Sequence, residues 1–395
     1  MLERAIIHLN VADFAVAVER LEDTSLRSRP LLIAAGAGGR ASVYDMSEEA
    51  YQDGVRKGMR LSRARRLCRR AAVLPPQPLL YRRAMQGLVS EVSSFSPKIE
   101  QGLLDGHLFV DVTGTHRLFG PPPDIAWRLR KQLGNRLGIR PIWTVATSKL
   151  VSKVASRLVK PLGEYIVGPG EESAFLAPLP LTILPGVSRH QQGRMAEFNL
   201  SRVGELASLS PQQLMVIFGK GGEFLHQVSR GIDSCQVHAE NESAAKIFFE
   251  HLFDDDCGDH ELVRICLRGL AGRLCRKLRS RQLECRRVMV ELHHSDGRRS
   301  TGGSSGRQGS SRDVEIEKMA FDALLRAWSM RSRLRSCRLI ADRLQKVSPQ
   351  LSLFCTKNPR QLREEKLFAA MDRVRSRFGH DAVWFGPGKC ADSSA

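Results

Sequence analysis

Hydrophobic and polar positions along the first 165 residues follow two alternating periods, which predicts strands and helices in succession. An apolar run at residues 5–11 predicts a strand, and residues 14–21 have the helical spacing of the next element. A second strand is expected at 30–35 before a glycine-rich turn at 36–39, and residues 48–70 are helical in pattern and very basic. This order is typical of helices that cover one sheet.

Asp-Gly marks a hairpin in the same region. Apolar runs at 96–104 and 108–112 flank Asp105 and Gly106, and this dipeptide between two such runs is a strong signal for a tight turn between strands. Further helices and one more strand complete the α/β region, and they are expected at 81–94, 125–137 and 142–146.

The second half of the chain has a different pattern. Residues 166–238 form short helical pieces punctuated by Pro and Gly, and from residue 246 the order of strands and helices indicates a split βαβ arrangement. Its predicted parts are a strand from 246, a long basic helix at 259–281, a strand at 286–293, a flexible Gly/Ser loop at 300–311, a helix at 315–329 and a strand at 338–341. A last helix is expected at 361–378.

The charge of the chain adds a candidate partner. Lys and Arg number 61 against 42 Asp and Glu, for a net charge of +19, which favours a polyanion such as nucleic acid over a generally basic surface. Nine scattered cysteines without a CxxC pair predict reduced thiols and no metal site. The sequence has neither a signal peptide nor a long apolar run, so we expect a cytoplasmic protein without membrane contact.

Six motifs, in this order, resemble those of the Y-family translesion DNA polymerases, and the likeness covers nearly the whole chain. They are HLNVADFAVAVE at 8–19, GVRKGM at 54–59, KIEQGLLDGHLFVDVTGT at 98–115, TSKLVSKVASRLVKPLG at 147–163, LPGV at 184–187 and QLSLF at 350–354.

The resemblance implies an α+β multidomain fold with the right-hand architecture of that family. Its parts would be a ferredoxin-like palm, small fingers, a helical thumb with a helix–hairpin–helix, and a split βαβ little finger. The implied boundaries are 1–24 and 81–165 for the palm, 25–80 for the fingers, 166–240 for the thumb, 245–345 for the little finger, and 346–395 for a tail with a clamp-binding peptide and a terminal helix.

The resemblance also locates the positions where this family carries its catalytic carboxylates. The first is Asn10, an amide, and the hairpin pair falls on Asp105-Gly106 or on Gly106-His107, depending on the direction of counting. Neither register supplies the glutamate, and hard cations such as Mg²⁺ prefer anionic oxygen ligands. Asp13, three positions beyond Asn10, would face the other side of a continuous strand. We therefore expect no intact catalytic site, and no cofactor, with Mg²⁺ needed only if polymerase activity is retained.

The implied nucleotide pocket differs from the family pattern as well. Glu48 and Tyr51 stand where relatives hold the triphosphate with tyrosine and arginine, and Ala15 stands at the position of the aromatic residue that excludes ribonucleotides. Lys153 matches the palm lysine that approaches the phosphates and is a candidate remnant of nucleotide binding, although a lysine on a helix face is more often simply solvated.

The binding motifs, by contrast, are retained. Gly186 lies in the LPGV turn, which in the family meets DNA phosphates through backbone N–H groups. A nearly uniform basic stretch in the 259–281 helix indicates contact with the DNA backbone, and its candidate residues are Arg264, Arg268, Arg273, Arg276, Lys277 and Arg279. The expected clamp-binding peptide is Gln350, Leu351, Ser352, Leu353 and Phe354.

Three hypotheses follow from these patterns. The first is a non-catalytic Y-family paralogue similar to the ImuB-type proteins of damage-induced mutagenesis, part of the SOS response. It would bind damaged or primer–template DNA and the sliding clamp, and would recruit another DNA polymerase and a RecA-like accessory protein. The second is an active, error-prone translesion polymerase with displaced metal ligands. The third is a generic DNA-binding repair factor whose clamp motif is accidental.

Overall fold

A computed structural model describes residues 4–35, 41–238, 246–328, 332–347, 359–378 and 382–383 of the chain. These residues belong to two compact units, Met1–Glu240 and Asn241–Ala395. In the described ranges no helix combines the length and apolar character needed to cross a membrane.

A five-stranded sheet organises the first unit. Its strands, in the order β5-β6-β1-β7-β8, are β1 (Ile6–Asn10), β5 (Ile99–Gln101), β6 (His107–Asp111), β7 (Ile142–Ala146) and β8 (Glu164–Ile166). β1 pairs antiparallel with both β6 and β7, and β7 pairs parallel with β8. The strands expected at 5–11, 108–112 and 142–146 are confirmed, because their apolar runs are buried in the sheet.

The two faces of this sheet are covered differently. Ile7 and Leu9 pack into the core with three helices, α1 (Phe14–Glu22), α4 (Pro78–Val92) and α6 (Pro122–Leu137). His8 and Asn10 alternate with these residues and therefore face the other side. The short helix α5 (His116–Phe119) follows β6, and α7 (Lys149–Leu158) packs against β1 and β7.

A three-stranded sheet holds the basic segment predicted at 48–70. Its strands, in the order β3-β2-β4, are β2 (Leu31–Ala35), β3 (Ser42–Met46) and β4 (Ala72–Leu74). The prediction of one helical stretch was wrong, because the segment forms α2 (Glu48–Gln52) and α3 (Leu61–Leu67) with a turn between them. Gly54 and Gly58 adopt φ values of 92° and 78° in that turn, which a continuing helix does not allow.

Short helices complete the first unit, as predicted for 166–238. They are α8 (Glu172–Leu176), α9 (Arg189–Glu197), α10 (Val203–Ser208), α11 (Pro211–Phe218) and α12 (Gly221–Ser229). Leu176, Leu206, Leu214 and Leu225 are buried together between these helices. The α11–α12 contact is close enough that a Cβ on Gly222 would lie 2.5 Å from the backbone of Leu214.

The second unit is a four-stranded antiparallel sheet with the strand order β11-β10-β12-β9. Its elements are β9 (Lys246–Cys257), α13 (His260–Ser280), β10 (Leu283–His294), β11 (Arg299–Ser310), α14 (Asp313–Ala327) and β12 (Leu334–Lys346). Both helices pack on one face of the sheet, where Val288, Val290 and Leu339 are fully buried. The split βαβ arrangement is therefore confirmed.

The flexible Gly/Ser loop expected at 300–311 was a wrong prediction. This segment is the edge strand β11, which pairs antiparallel with β10 from Arg287↔Ser305 to His293↔Arg299. Its glycines serve packing, because a Cβ on Gly302 would lie 2.1 Å from the carbonyl oxygen of Ala323 in α14. The glycines lower the β propensity of this segment, but they allow α14 to approach β11 closely.

The helix expected at 361–378 is α15 (Pro359–Phe378), and it packs within the second unit. Phe368 and Met371 are buried on its inner side. Asp372 accepts a hydrogen bond from Arg279 Nε at 2.8 Å, which ties α15 to α13.

Candidate functional site

Asn10 and His107 lie opposite each other at the ends of β1 and β6. His107 rather than Gly106 stands across from Asn10, and which of the two registers matches the carboxylate pair of the family stays a prediction. Asn10 is 1% exposed, and its Nδ2 has no hydrogen-bond partner in the described part of the chain. An amide and an imidazole therefore meet at the centre of the candidate site.

A pair of histidines fills this part of the sheet. His8 Nε2 and His107 Nδ1 lie 3.0 Å apart in a hydrogen bond, with the rings parallel to within 1°, and the other neighbour of His8 is Phe109, at a ring-centroid distance of 4.4 Å. Burial lowers the pKa of His107 to about 4; Asp105 opposes this shift and Lys153 adds to it. Burial also lowers the pKa of His8, so both imidazoles are neutral at pH 7.

Asp105 and Gly106 form the turn that leads into β6. The Oδ1 atom of Asp105 accepts a hydrogen bond from the backbone N–H of His107 at 3.3 Å, so this carboxylate stabilises its own turn. Gly106 has a φ of 74°, and a Cβ there would lie 2.9 Å from the carbonyl oxygen of Val11 and from the Cβ of Phe14. A side chain at position 106 is thus excluded by both backbone conformation and space.

Lys153 lies on α7 among these groups. Burial and then Arg157 lower the pKa of its amine, whereas Asp105 raises it. Its charge in turn lowers the pKa of both His8 and His107. The structure thus brings together Asn10, Asp105, His107 and Lys153.

Sequence reasoning missed a second cluster, centred on the carboxylate of Asp45 in β3. Asp45 is 2% exposed and accepts three bonds, from the backbone N–H of Ala15 at 3.0 Å, the backbone N–H of Met46 at 3.0 Å and Lys57 Nζ at 2.8 Å. Ala15 belongs to the first turn of α1, so an internal carboxylate occupies the N-terminus of this helix. Thirty residues separate the two partners, and no local pattern connects them.

Asp13 stands beside this carboxylate. The strand ends at Asn10, and Asp13 is the residue before α1, with a φ of 47°, so the expectation that it faces away along a continuous strand was wrong. Burial and then Asp45 raise its pKa to about 6, Lys57 opposes the shift, and Glu48 adds to it. The pocket at the start of α1 therefore holds three carboxyl groups, those of Asp13, Asp45 and Glu48.

Two cations lie within the field of these groups. Lys57 pairs with Asp45, and the pKa of Lys160 is lowered by desolvation and by Lys57 but raised by Asp13. Tyr51 is 43% exposed, with the Arg56 guanidinium 3.9 Å from its ring centroid. Lys160 therefore belongs to this pocket, although the sequence singled out Lys153 alone.

Gly186 has a structural reason for its conformation. Its φ is 84°, and a Cβ would lie 2.9 Å from Phe224 Cζ. The turn leads into α9, where the hydroxyl of Ser188 accepts from the N–H of Gln191 and the Gln191 side chain accepts from the N–H of Ser188. Contact of this turn with DNA stays a prediction.

The basic residues of α13 have partners inside the second unit. Arg268 pairs with Glu317 at 2.6 Å, and Arg279 pairs with Asp313 at 2.5 Å and with Asp372 at 2.8 Å. Arg264 pairs with Glu261 at 3.3 Å, and Arg273, Arg276 and Lys277 each have an interaction as well. Their contact with DNA stays a prediction, because internal ion pairs already use much of this charge.

The clamp-binding peptide, residues 350–354, lies outside the described residues. Within the described ranges, the His, Cys, Asp and Glu side chains form no group of three or more that could hold a metal ion.

Comparison with known proteins agrees with this architecture. The impB/mucB/samB family matches residues 9–157, its C-terminal domain matches 245–363, and the thumb domain of DNA polymerase iota matches 182–233. The chain is 31% identical over 296 residues to a DNA polymerase IV of Desulfatibacillum aliphaticivorans, covering 75% of this chain and 74% of that protein. A DNA polymerase IV of Dehalococcoides mccartyi is 29% identical over 387 residues, 98% of each chain.

Solved structures of the same class share the fold. A Y-family DNA polymerase chimera superposes with a TM-score of 0.74 at 19% identity, over 87% of this chain and 99% of the chimera. DinB from Sulfolobus solfataricus gives a TM-score of 0.62 at 20% identity, over 86% of this chain and 98% of that one. The predicted α+β fold with its thumb is confirmed. The chain therefore belongs to the impB/mucB/samB family, the Y-family of DNA polymerases.

Proposed function

We propose that this protein binds primer–template DNA in translesion repair as an adaptor, and that it does not synthesise DNA itself. The observation that carries the proposal is the pair of groups at the ends of β1 and β6, the amide of Asn10 and the neutral imidazole of His107. This is the ImuB-type alternative among Y-family proteins.

The donor set at these strand ends does not fit a pair of Mg²⁺ ions. Two-metal nucleotidyl transfer needs anionic oxygens that bridge both ions, and neither Asn10 nor His107 supplies one. Asp105 is the carboxylate of the turn that leads into β6, and its Oδ1 accepts a hydrogen bond from the N–H of His107. We therefore derive no catalytic step through a metal at this site.

The pocket at the start of α1 supports the same proposal. A helix N-terminus is a ready site for a phosphate, since its free N–H groups and its dipole favour an anion. In this chain the carboxylate of Asp45 occupies that place, and Asp13 and Glu48 add negative field nearby. A triphosphate entering here would meet like charge where it needs donors.

The second candidate is a polymerase with displaced ligands, and the proximity of Asp13 to Asp45 is the observation in its favour. The names of the DNA polymerase IV relatives point the same way. Against it, Asp45 already accepts from two N–H groups and Lys57, so binding a cation would require breaking these contacts. We favour the adaptor for this reason.

The partners of such an adaptor follow from its motifs. We propose that residues 350–354 bind the sliding clamp, and that a separate DNA polymerase and a RecA-like accessory protein join the complex. A clamp pull-down compares the unmodified chain with a Gln350→Ala, Phe354→Ala variant. Equal capture of clamp by both proteins would defeat the assignment of this peptide.

Primer extension by the purified chain tests the proposal, with Mg²⁺ or Mn²⁺ and all four dNTPs. We expect DNA binding without extension. Robust extension by the unmodified chain would overturn the adaptor, and its loss in Asp13→Asn or Asp45→Asn would identify displaced ligands. A gain-of-function experiment compares a double variant, Asn10→Asp with His107→Glu, with a triple variant that also carries Asp45→Ala. Position 106 is left as glycine because the turn has no room for a side chain.

A further inference from the structure

Strand β9 forms one edge of the four-stranded sheet in the second unit. It pairs with β12 in a regular antiparallel register from Lys246↔Asp342 to Leu252↔Ser336. Among the described residues, no strand pairs with the outer side of β9. In an antiparallel pair the N–H and C=O groups of every second residue point away from the partner strand. About half of residues 246–252 therefore present backbone donors and acceptors to an incoming strand.

The side chains of this segment are mostly apolar. Ile247 and Phe249 pack on the inner face of the sheet, in the core formed with α13 and α14. Phe248 and Leu252 lie on the open face, where they are 44% and 62% exposed. Residues 246–253 contain neither Pro nor Gly, and one Lys stands against one Glu. Short apolar segments of this kind, without net charge, pair readily with another strand when they lie on an accessible edge.

The other edge of the sheet, β11, has the opposite character. It consists of Ser, Thr, Gly, Gln and Arg, and the cations Arg299 and Arg307 are exposed on it. Charged side chains on an edge strand oppose the addition of another strand. β9 has less of this protection, because Lys246 lies at one end of it and the carboxylate of Glu250 is already paired with Arg338 at 2.7 Å.

A second copy of the chain supplies a strand of matching geometry. Two identical edges that pair antiparallel are related by a two-fold axis, and their outward-pointing groups meet only when this axis passes through a residue position. An axis at Glu250 sets Phe248 of one copy opposite Leu252 of the other on both sides of the axis, so the exposed apolar side chains cover each other. The two Glu250 carboxylates then face each other, but each already accepts hydrogen bonds from Arg338 and Ser336 of its own copy.

The charges at the two ends of β9 favour the same arrangement. Lys246 begins the strand and the exposed Asp255 lies near its end, so an antiparallel copy brings unlike charges close together at both ends. A parallel copy would bring like charges together instead. We propose that two copies of this protein associate through β9, antiparallel about Glu250, into a dimer with one continuous sheet. This inference does not depend on whether the chain binds DNA or synthesises it.

The dimer should be modest in affinity and closed in geometry. One short pair of strands buries less than the roughly 1,200–2,000 Å² of a standard protein interface, so we expect a dissociation constant of about 10 µM. Each copy has one apolar edge and one polar, cationic edge, so pairing of β9 with β9 uses the single apolar edge of both copies. Association therefore stops at two copies, whereas pairing of β9 with β11 would continue without limit.

Sedimentation velocity of the full chain without DNA, between about 1 and 100 µM protein, tests the proposal. The variant is Leu252→Lys, and the control is Leu325→Lys, which changes a leucine of α14 that is 78% exposed in the same unit. We expect the unmodified chain and the control to pass from monomer to dimer over this range. Leu252→Lys should weaken association at least about 10-fold, because the new cation would lie near Arg338, whose guanidinium is 5.1 Å from the ring centroid of Phe248.

Hydrogen exchange of the unmodified chain at both ends of this concentration range gives a second measurement. Amides of 246–252 should exchange more slowly at the higher concentration, and those of β11 should not change, a difference that side-chain packing within one copy would not produce. If Leu252→Lys folds poorly, Phe248→Thr keeps the β propensity of the strand and should weaken association as well. A monomer at every concentration, equal association by Leu252→Lys and its control, or growth beyond two copies would each overturn the proposal.

Discussion

Replacing Gly302 with alanine should unfold part of the second unit, because β11 is a packed strand. The added Cβ would lie 2.1 Å from the carbonyl oxygen of Ala323 and 2.6 Å from the N–H nitrogen of Ala327. Both atoms belong to the backbone of α14, so neither can rotate out of the way as a flexible side chain would.

The size of the effect follows from the distances. An ordinary contact begins near 3.4 Å, so α14 or β11 would have to move by more than 1 Å at this point. Overpacking by one carbon typically costs about 1–3 kcal/mol, and a clash with backbone lies at the upper end, so we expect a loss of about 3 kcal/mol or more. Gly303 is the matched control, because its nearest neighbours are side-chain atoms at 3.5 Å or more. Gly303→Ala should change stability by less than about 1 kcal/mol.

Hydrogen exchange read by mass spectrometry, at increasing urea, measures the local free energy of opening. Peptides covering 283–328 should exchange faster in Gly302→Ala and nearly normally in Gly303→Ala, whereas peptides of the first unit should be unchanged. Indistinguishable protection in the two variants and the unmodified chain would refute the packing argument and restore the flexible loop.

Three other perturbations have defined outcomes. Arg279→Ala should lower the stability of the second unit by about 3 kcal/mol in urea unfolding, since Asp313 and Asp372 lose their shared partner; an effect on DNA affinity alone would contradict this. Asp13→Asn should stabilise the first unit by about 2 kcal/mol at pH 8. Because the pKa of Asp13 is raised to about 6 in the folded protein, this carboxyl makes the folded protein less stable as the pH rises from about 4 to about 6. The stabilisation by Asp13→Asn should therefore vanish below pH 4. Tyr81→Phe should lower the free energy of unfolding by about 2 kcal/mol, measured by heat or urea, because the Tyr81 hydroxyl donates to buried Glu19 at 2.7 Å. An unchanged free energy of unfolding would mean that water replaces the hydroxyl.

The predictable elements of this fold are those whose information is local. β1 and β7 are short apolar runs with buried side chains throughout, and their bounds follow from the sequence to within a residue. The hairpin around Asp105 and Gly106 is a local signal as well, but its form differs from the prediction. The strand expected at 96–104 is only β5 (Ile99–Gln101), and the connection runs over residues 102–106 with positive φ at Leu104 and Gly106 rather than at Asp105.

The missed elements depend on residues distant in the chain. β11 consists of Ser, Gly and Arg, and it becomes a strand because β10 and α14 supply its hydrogen bonds and its close packing. The acidic partners of Arg268 and Arg279 lie 34 to 93 residues away, at Asp313, Glu317 and Asp372, so a basic stretch looked free when much of it is paired.

The candidate site was predicted in the same uneven way. Asn10 and His107 could be singled out from the resemblance of linear motifs, and the structure then showed that they lie opposite each other in the pairing of β1 with β6. Asp45 could not be identified in this way, because its role depends on the backbone N–H of Ala15 at the start of α1. Only folding brings that N–H within 3.0 Å of the Asp45 carboxylate.

Under the proposed adaptor function, the glycine at position 106 and the carboxylate at the start of α1 would make a gain of catalysis a multistep path. A new carboxylate at position 106 would be strained, and a carboxylate introduced in place of Asn10 or His107 would leave Asp45 at the start of α1. Each single replacement would therefore bring no gain by itself, while the removal of Asp45 takes three bonds from the folded protein. Under that proposal, fewer changes are needed to refine this chain as a DNA-bound partner than to convert it to a polymerase.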